Sequence, residues 1–301
     1  MKKILLLSTM LLVALFAGAQ TKVSPKMVKG DKKVYVTEMT TTIPGQQSKV
    51  TITSETLYEV LDATADGYVI DCMVTDAKTT GDEGDIASRL ISMSTEMLKN
   101  THTRFATDKD GKVTKILNYE EVKAGIDKTI SDMLDELYKV KPEAATMFTR
   151  EALTEQMRSM VTEDMLLQSA QVNSSPLALN GKTISTGAQD EFFNGQGLKM
   201  TRMYYANADG SVITSSVLNM SAEDMKQMII EQVGKLFPDQ LEMVKNSIDM
   251  VINNPSFKME ANEKATYTFN KDGWVESIQV EVSSSTMGQK TSAAGTTTLK
   301  K

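Results

Sequence analysis

His102 is the single histidine of the chain, within Asn100-Thr101-His102-Thr103-Arg104. Any Ser-His-Asp triad or histidine general base would have to use it. No Gly-x-Ser-x-Gly motif accompanies it, so it reads as an exposed strand histidine rather than a catalyst. Cys72 is the single cysteine, in phase with Tyr68, Ile70 and Val74, and flanked by the acidic Asp71 and Asp76. A reactive thiol wants basic neighbours, so Cys72 reads as a core residue. One His and one Cys supply too few ligands for a typical zinc or other transition-metal site. A lone Cys also excludes an internal disulfide.

Asp108-x-Asp110-Gly111 has the look of part of a calcium loop. With Gly111 at the sixth loop position, however, the first and last ligand positions fall on Ala106 and Leu117. Asn270-x-Asp272-Gly273 places Thr268 and Gln279 there, and Asn207-x-Asp209-Gly210 fails likewise. These are turns. Gly195-Gln196-Gly197 lacks the rest of a phosphate-binding loop. Carboxylates are plentiful, so a carboxylate-based hydrolase stays open by count. Trp274 is the lone tryptophan, which argues against an aromatic sugar platform. No catalytic residue, metal ligand or cofactor is assigned.

Methionine is the unusual component, with 21 copies. Many lie on apolar helix stripes. Met is unbranched and soft, and adaptable binding surfaces over-use it. Two readings follow: ordinary core packing, or a pliable apolar cavity between helices and a curved sheet. In the second reading Met157, Met160, Met225, Met228 and Ile229 line the ligand site.

The elements that would position these residues begin with a repeated turn. Asp-Gly, one residue, then Val recurs at Asp66-Gly67, Asp110-Gly111, Asp209-Gly210 and Asp272-Gly273. Asp-Gly between β-rich runs marks hairpin tips, because Gly supplies the positive φ. The flanks alternate with period two, as in Val50, Ile52, Ser54, Thr56, Tyr58 and Val60 against their polar neighbours. This predicts strands near 34–43, 49–62, 68–77, 101–107, 112–118, 182–193, 198–206, 211–219, 256–270, 274–284 and 290–299.

Helical stripes interrupt them: Ile86, Leu90, Met93 and Met97 after a cap at Asp85; Val122, Ile126, Ile130, Met133 and Leu137; and Leu153, Met157, Met160, Val161 and Leu167. Ser221 with Asp224 caps a stripe of Met225, Met228, Ile229 and Val233. Pro238 opens another with Leu241, Val244, Ile248 and Val251. Thr79 to Gly84 and Gln171 to Gly181 read as linkers. Segregated strands and helices predict an α+β fold: a large curved antiparallel sheet of about eleven strands, covered on one face by amphipathic helices. A single domain over 20–301 is expected, with two lobes, 20–172 and 173–301, as the alternative.

The N-terminus gives the compartment. Lys2 and Lys3 precede an apolar run from Ile4 to Phe16, and Ala17-Gly18-Ala19 offers a small-residue cleavage site before Gln20. Residues 1–19 read as a secretory signal peptide. The expected location is the periplasm or the extracellular space. The net charge of −6 disfavours nucleic acid as a partner. No later apolar stretch reaches spanning length, so an integral helical membrane protein is not expected.

The Ala17-Gly18-Ala19-Gln20 site, the Thr-rich opening strands and the Asp-Gly hairpins together resemble an uncharacterised family of exported proteins from Gram-negative bacteria. More loosely, the strand count with helices on one face is similar to the lipoprotein-carrier half-barrels of the cell envelope. That resemblance implies a concave apolar sheet holding acyl chains under helices, and no individual residue carries over. The expectation is a soluble, non-enzymatic envelope protein that binds an apolar ligand or lipid. The alternatives are a structural or protein-interaction module, with an envelope protein as partner, and a carboxylate-based hydrolase.

Overall fold

A computed structural model describes residues 20–42, 49–81, 99–140, 142, 149–159, 162–194, 198–236, 242, 245, 248, 259–286 and 289–301. The first five strands after the short β1 (Thr21–Lys22) are β2 (Lys32–Thr42), β3 (Lys49–Ala63), β4 (Tyr68–Thr80), β5 (His102–Thr107) and β6 (Val113–Ile116). After three described helices come β7 (Thr183–Ile184), β8 (Gln189–Phe193), β9 (Lys199–Ala206) and β10 (Val212–Leu218). A fourth described helix precedes β11 (Met259–Phe269), β12 (Val275–Thr286) and β13 (Gln289–Leu299).

Eleven of these strands form one sheet in the order β6-β5-β4-β3-β2-β13-β12-β11-β10-β9-β8. Every pairing is antiparallel, and β1 pairs separately with β7. The sheet is two up-and-down meanders, β2 to β6 and β8 to β13, joined by β2 against β13. It does not close. The expected α+β fold with a large antiparallel sheet is what forms. Period two decides the faces: Val50, Tyr58 and Val60 are buried, as are Ile278 and Val280. Bulges in β3–β4, between Glu55 and Thr56 and between Val60 and Asp62, sharpen the local twist.

The four Asp-Gly turns fall at one end of the sheet, because each joins a strand pair of the same orientation. All four glycines have positive φ, as the turns require. Three turns share a plan in which the first residue donates its N–H to the fifth residue's carbonyl and accepts from the glycine. The pairs are Asp108 with Lys112, Asn207 with Ser211 and Asn270 with Trp274. Asp108 Oδ1 also accepts from the Asp110 and Lys112 amides, so this carboxylate is committed to its turn. The fourth turn uses Thr64, whose hydroxyl donates to the Gly67 carbonyl.

The inner face is filled by the chain itself. Residues 170–182 run as successive turns against the sheet, with Asn173, Pro176, Leu177, Ala178, Leu179 and Asn180 buried. Expected to be a linker, this segment is instead a core insert. Its Leu177 and Leu179 join Tyr35, Tyr58, Ile70, Phe105, Tyr267 and Ile278 in the main cluster. Its polar letters mislead because successive tight turns satisfy the backbone internally, as in Ala178 N–H to Ser175 and Asn180 N–H to Leu177. Residues 23–31 cross the turn end as a strap. Lys26 N–H bonds the Asp272 carbonyl, and Trp274 Nε1 donates to the Lys26 carbonyl at 3.2 Å.

The described helices are α1 (Tyr119–Val140), α2 (Arg150–Ser159), α3 (Glu163–Ser169) and α4 (Ala222–Leu236). In α1, Val122, Ile130 and Leu134 are buried. Arg150 to Asp135 and Arg158 to Asp127 tie α2 to α1. The stripe expected to run as one helix from Leu153 to Leu167 is split, because Thr162 caps α3 by accepting from the Met165 amide. The Ser221–Asp224 box caps α4 as expected. The single strand expected over 182–193 is two, β7 and β8, with Gly187 at φ 86° between them. The proposed signal peptide, the helix after Asp85 and most of the helix after Pro238 lie outside the described residues. Among the described residues no helix is long and apolar enough to cross a membrane.

Candidate functional site

The methionine site is only partly within the described residues. Met157 lies on α2, which packs against α4. Met225 on α4 is buried, and Met228 packs on a cluster of Phe192, Leu198, Met200 and Ala261. Met160 lies outside the described residues, and Ile229 belongs to α4 without a described side chain.

A cavity of about 200 Å³ lies elsewhere, between the core insert and the inner face of β2 to β5. Tyr35, Tyr58 and Phe105 line it from the sheet, and Val172, Pro176 and Leu177 from the insert. Thr37, Thr56 and Thr297 add hydroxyls. Tyr35 and Tyr58 meet edge to face with ring centroids 5.5 Å apart. Tyr35 is fixed by donating its hydroxyl to the Val275 carbonyl at 2.8 Å. Cys72 also faces this space. Burial pushes its thiol up to about 12, so it stays neutral and is no nucleophile at ordinary pH.

Beside the cavity lies a buried polar network that pattern reading passed over. Arg202 is fully buried. Its guanidinium forks onto Asp190, with Nε to Oδ1 at 3.0 Å and Nη2 to Oδ2 at 3.1 Å. Nη1 reaches the insert, donating to Asn173 Oδ1 at 2.9 Å and the Gln171 carbonyl at 3.2 Å. The Phe192 ring lies 4.4 Å from the guanidinium carbon. Lys182 and the Tyr204 hydroxyl also bond Asp190. Burial alone would raise the Asp190 carboxyl, but Arg202 and Lys182 outweigh it and hold the carboxyl below its ordinary value. Burial and the Arg202 charge lower the Lys182 ammonium. Tyr267 donates to the Asn173 carbonyl at 2.7 Å. The network pins the insert to the sheet. A signal for it existed: Arg202 occupies an inner-face phase between Met200 and Tyr204.

His102 starts β5 on the outer face, where its Nδ1 lies 2.6 Å from Asp71 Oδ2. Arg104 Nε approaches the other oxygen at 3.4 Å. The histidine expected to be an exposed strand residue is one member of a His–Asp–Arg set. An aspartate that fixes Nδ1 leaves Nε2 free for proton transfer, which is half of a triad. Among the described residues no hydroxyl or thiol bonds that ring, and no cluster of three or more His, Cys, Asp or Glu could hold a metal.

No protein-family model matches the chain, and no curated protein is similar to it in sequence. Among solved structures it has a weak likeness to lipovitellin, in a structure of lipid–protein interactions, with a TM-score of 0.40 and 8% identity. That match covers 92% of this chain and 26% of the other, so the chain spans about a quarter of the lipovitellin chain. A porin-like protein from Bacteroides uniformis matches with a TM-score of 0.18 and 10% identity, over 91% of this chain and 98% of that one. At these scores neither likeness carries an argument about function.

Proposed function

We propose that this chain is an exported envelope protein that binds a small apolar ligand, or the end of an acyl chain, and catalyses no reaction. The observation that carries this reading is the aromatic-lined cavity between the core insert and the sheet. Its lining sets Phe105, Val172, Pro176 and Leu177 beside the hydroxyls of six Ser and Thr residues, so a bound group meets apolar and polar walls together. At about 200 Å³ it is smaller than a typical drug-sized pocket, which limits the ligand to one short apolar group. The neutral thiol of Cys72 supports binding over chemistry.

Native mass spectrometry with lipid extraction of the purified protein tests the reading, together with a fluorescent fatty-acid probe. A co-purifying acyl compound supports it. Val172→Trp, which fills the cavity from the insert side, should abolish probe binding and shift the melting midpoint by no more than about 4 °C. Probe binding unchanged in that variant would place the ligand elsewhere. A second reading, a protein-interaction module, is favoured by the exposed Phe193, Tyr205 and Val217 on the outer side of β8 to β10. A parent protein with no extractable ligand and no probe binding would favour it.

A further inference from the structure

We infer that the cavity between the core insert and the sheet takes one uncharged aromatic ring carrying a hydroxyl, a ligand of the size and kind of a cresol. This rests on the reading above that the cavity is a ligand site, and it narrows that site to one chemical class. Size sets the first limit. A dry apolar cavity of about 150 Å³ takes benzene, so the space of about 200 Å³ here takes one ring with a small substituent. Shape sets the second. Tyr58 on β3 stands opposite the much smaller Cys72 on β4, and Phe105 lies on β5 beyond it. The sheet wall therefore dips between the Tyr58 and Phe105 rings, with Tyr35 meeting Tyr58 edge to face. A further ring can meet these rings by its edge or by an offset face, which the end of an acyl chain cannot do.

The walls reject charge. Among the described residues lining the cavity none is Asp, Glu, Lys, Arg or His. Its ionisable groups are Tyr35, Tyr58 and Cys72, and burial holds all three protonated at ordinary pH. A carboxylate or an ammonium would lose its water here without meeting an opposite charge. Most of the wall's hydroxyls are already spent. Tyr35 donates to the Val275 carbonyl, Thr37 and Thr297 bond each other at 3.0 Å, and Ser169 donates to the Leu166 carbonyl at 2.6 Å. Among the described residues the hydroxyls of Thr56, on the sheet wall, and Ser174, on the insert wall, have no hydrogen-bond partner. A purely apolar ligand would strip water from both and return nothing. A single ligand hydroxyl restores a bond, because it can both donate and accept.

The test is a nuclear magnetic resonance titration of the isotope-labelled, purified protein at neutral pH with p-cresol, toluene and benzoate. p-Cresol should saturate, with amide shifts centred on Tyr58, Cys72, Phe105 and Leu177. Toluene should bind about tenfold more weakly, the worth of one hydrogen bond, and benzoate should leave these amides still. Thr56→Val combined with Ser174→Ala should bring p-cresol down to the affinity of toluene. Toluene or benzoate binding the parent protein as tightly as p-cresol would overturn the inference and leave the cavity as a site for another ligand. So would p-cresol shifts centred elsewhere, or a p-cresol preference that survives in the double variant. If none of the three binds while the fatty-acid probe does, the aromatic ligand falls and the acyl reading stands. Silence from all four would defeat both.

Discussion

Arg202 shows what a single buried charge does here. Its fork onto Asp190 and its bonds to Asn173 and Gln171 engage four of its five N–H groups. Arg202→Met would leave Asp190 with only Lys182 and Tyr204 and free the insert, costing up to about 3–5 kcal/mol in urea unfolding. Asp190→Leu and Lys182→Met added together should restore part of that loss, because Lys182 shares the same carboxylate and would otherwise lose its partner. Glu263 points to a pH effect of definite sign. Burial raises its carboxyl above the ordinary range, against weaker opposition from Asn173 and Arg202. The folded state therefore holds this proton to higher pH than the unfolded chain, and the stability it contributes is lost as pH rises past the ordinary carboxylate range. Asp190 has the opposite sign: its contribution is present above that range and is lost as pH falls. Glu263→Gln should raise the melting midpoint more near neutral pH than in mild acid, and an equal change at both would refute this assignment.

Turns and inserts are where one element depends on another. A Cβ added to Gly67 would lie 2.0 Å from the Thr107 carbonyl oxygen of the neighbouring hairpin, whereas one on Gly210 meets nothing within 4 Å. Gly210→Ala should cost only the positive-φ penalty, about 1 kcal/mol. Gly67→Ala should cost clearly more, because backbone must move, and chemical denaturation of the pair separates the two effects. Leu179→Ala, in the fully buried part of the insert, should cost about 2–5 kcal/mol. A linker would lose almost nothing, so this measurement tests the insert's role in the core. The strands were legible because Asp-Gly tips and period-two runs such as Val50 to Val60 are local signals. The insert was not, since Ser174-Ser175-Pro176 reads as loop and only tertiary packing buries it. The Asp71–His102 pair was equally out of reach, because it depends on the register of β4 against β5.

Across the whole molecule, the four Asp-Gly turns share one end of the sheet and α4 follows β10 at the other, with the strap of residues 23–31 lying over the Asp-Gly end. Trp274→Ala should loosen that strap by removing both a buried ring and its bond to Lys26. Faster hydrogen exchange at Lys26 and Gly30 than at mid-sheet amides would report it, and unchanged exchange would show the strap held by other contacts. The pairing of β2 with β13 has a consequence in time rather than space. Tyr35 lies opposite Leu299, so the middle of the sheet is made by strands from opposite ends of the described chain. Each meander can assemble early from sequence neighbours, but it then waits with a bare central edge until the final strand arrives. Contacts of such long separation slow folding and leave strand edges open to other chains meanwhile. A slow phase that disappears in a circular permutant joining residue 301 to residue 20 would be its signature, since that link makes the central pair a local hairpin.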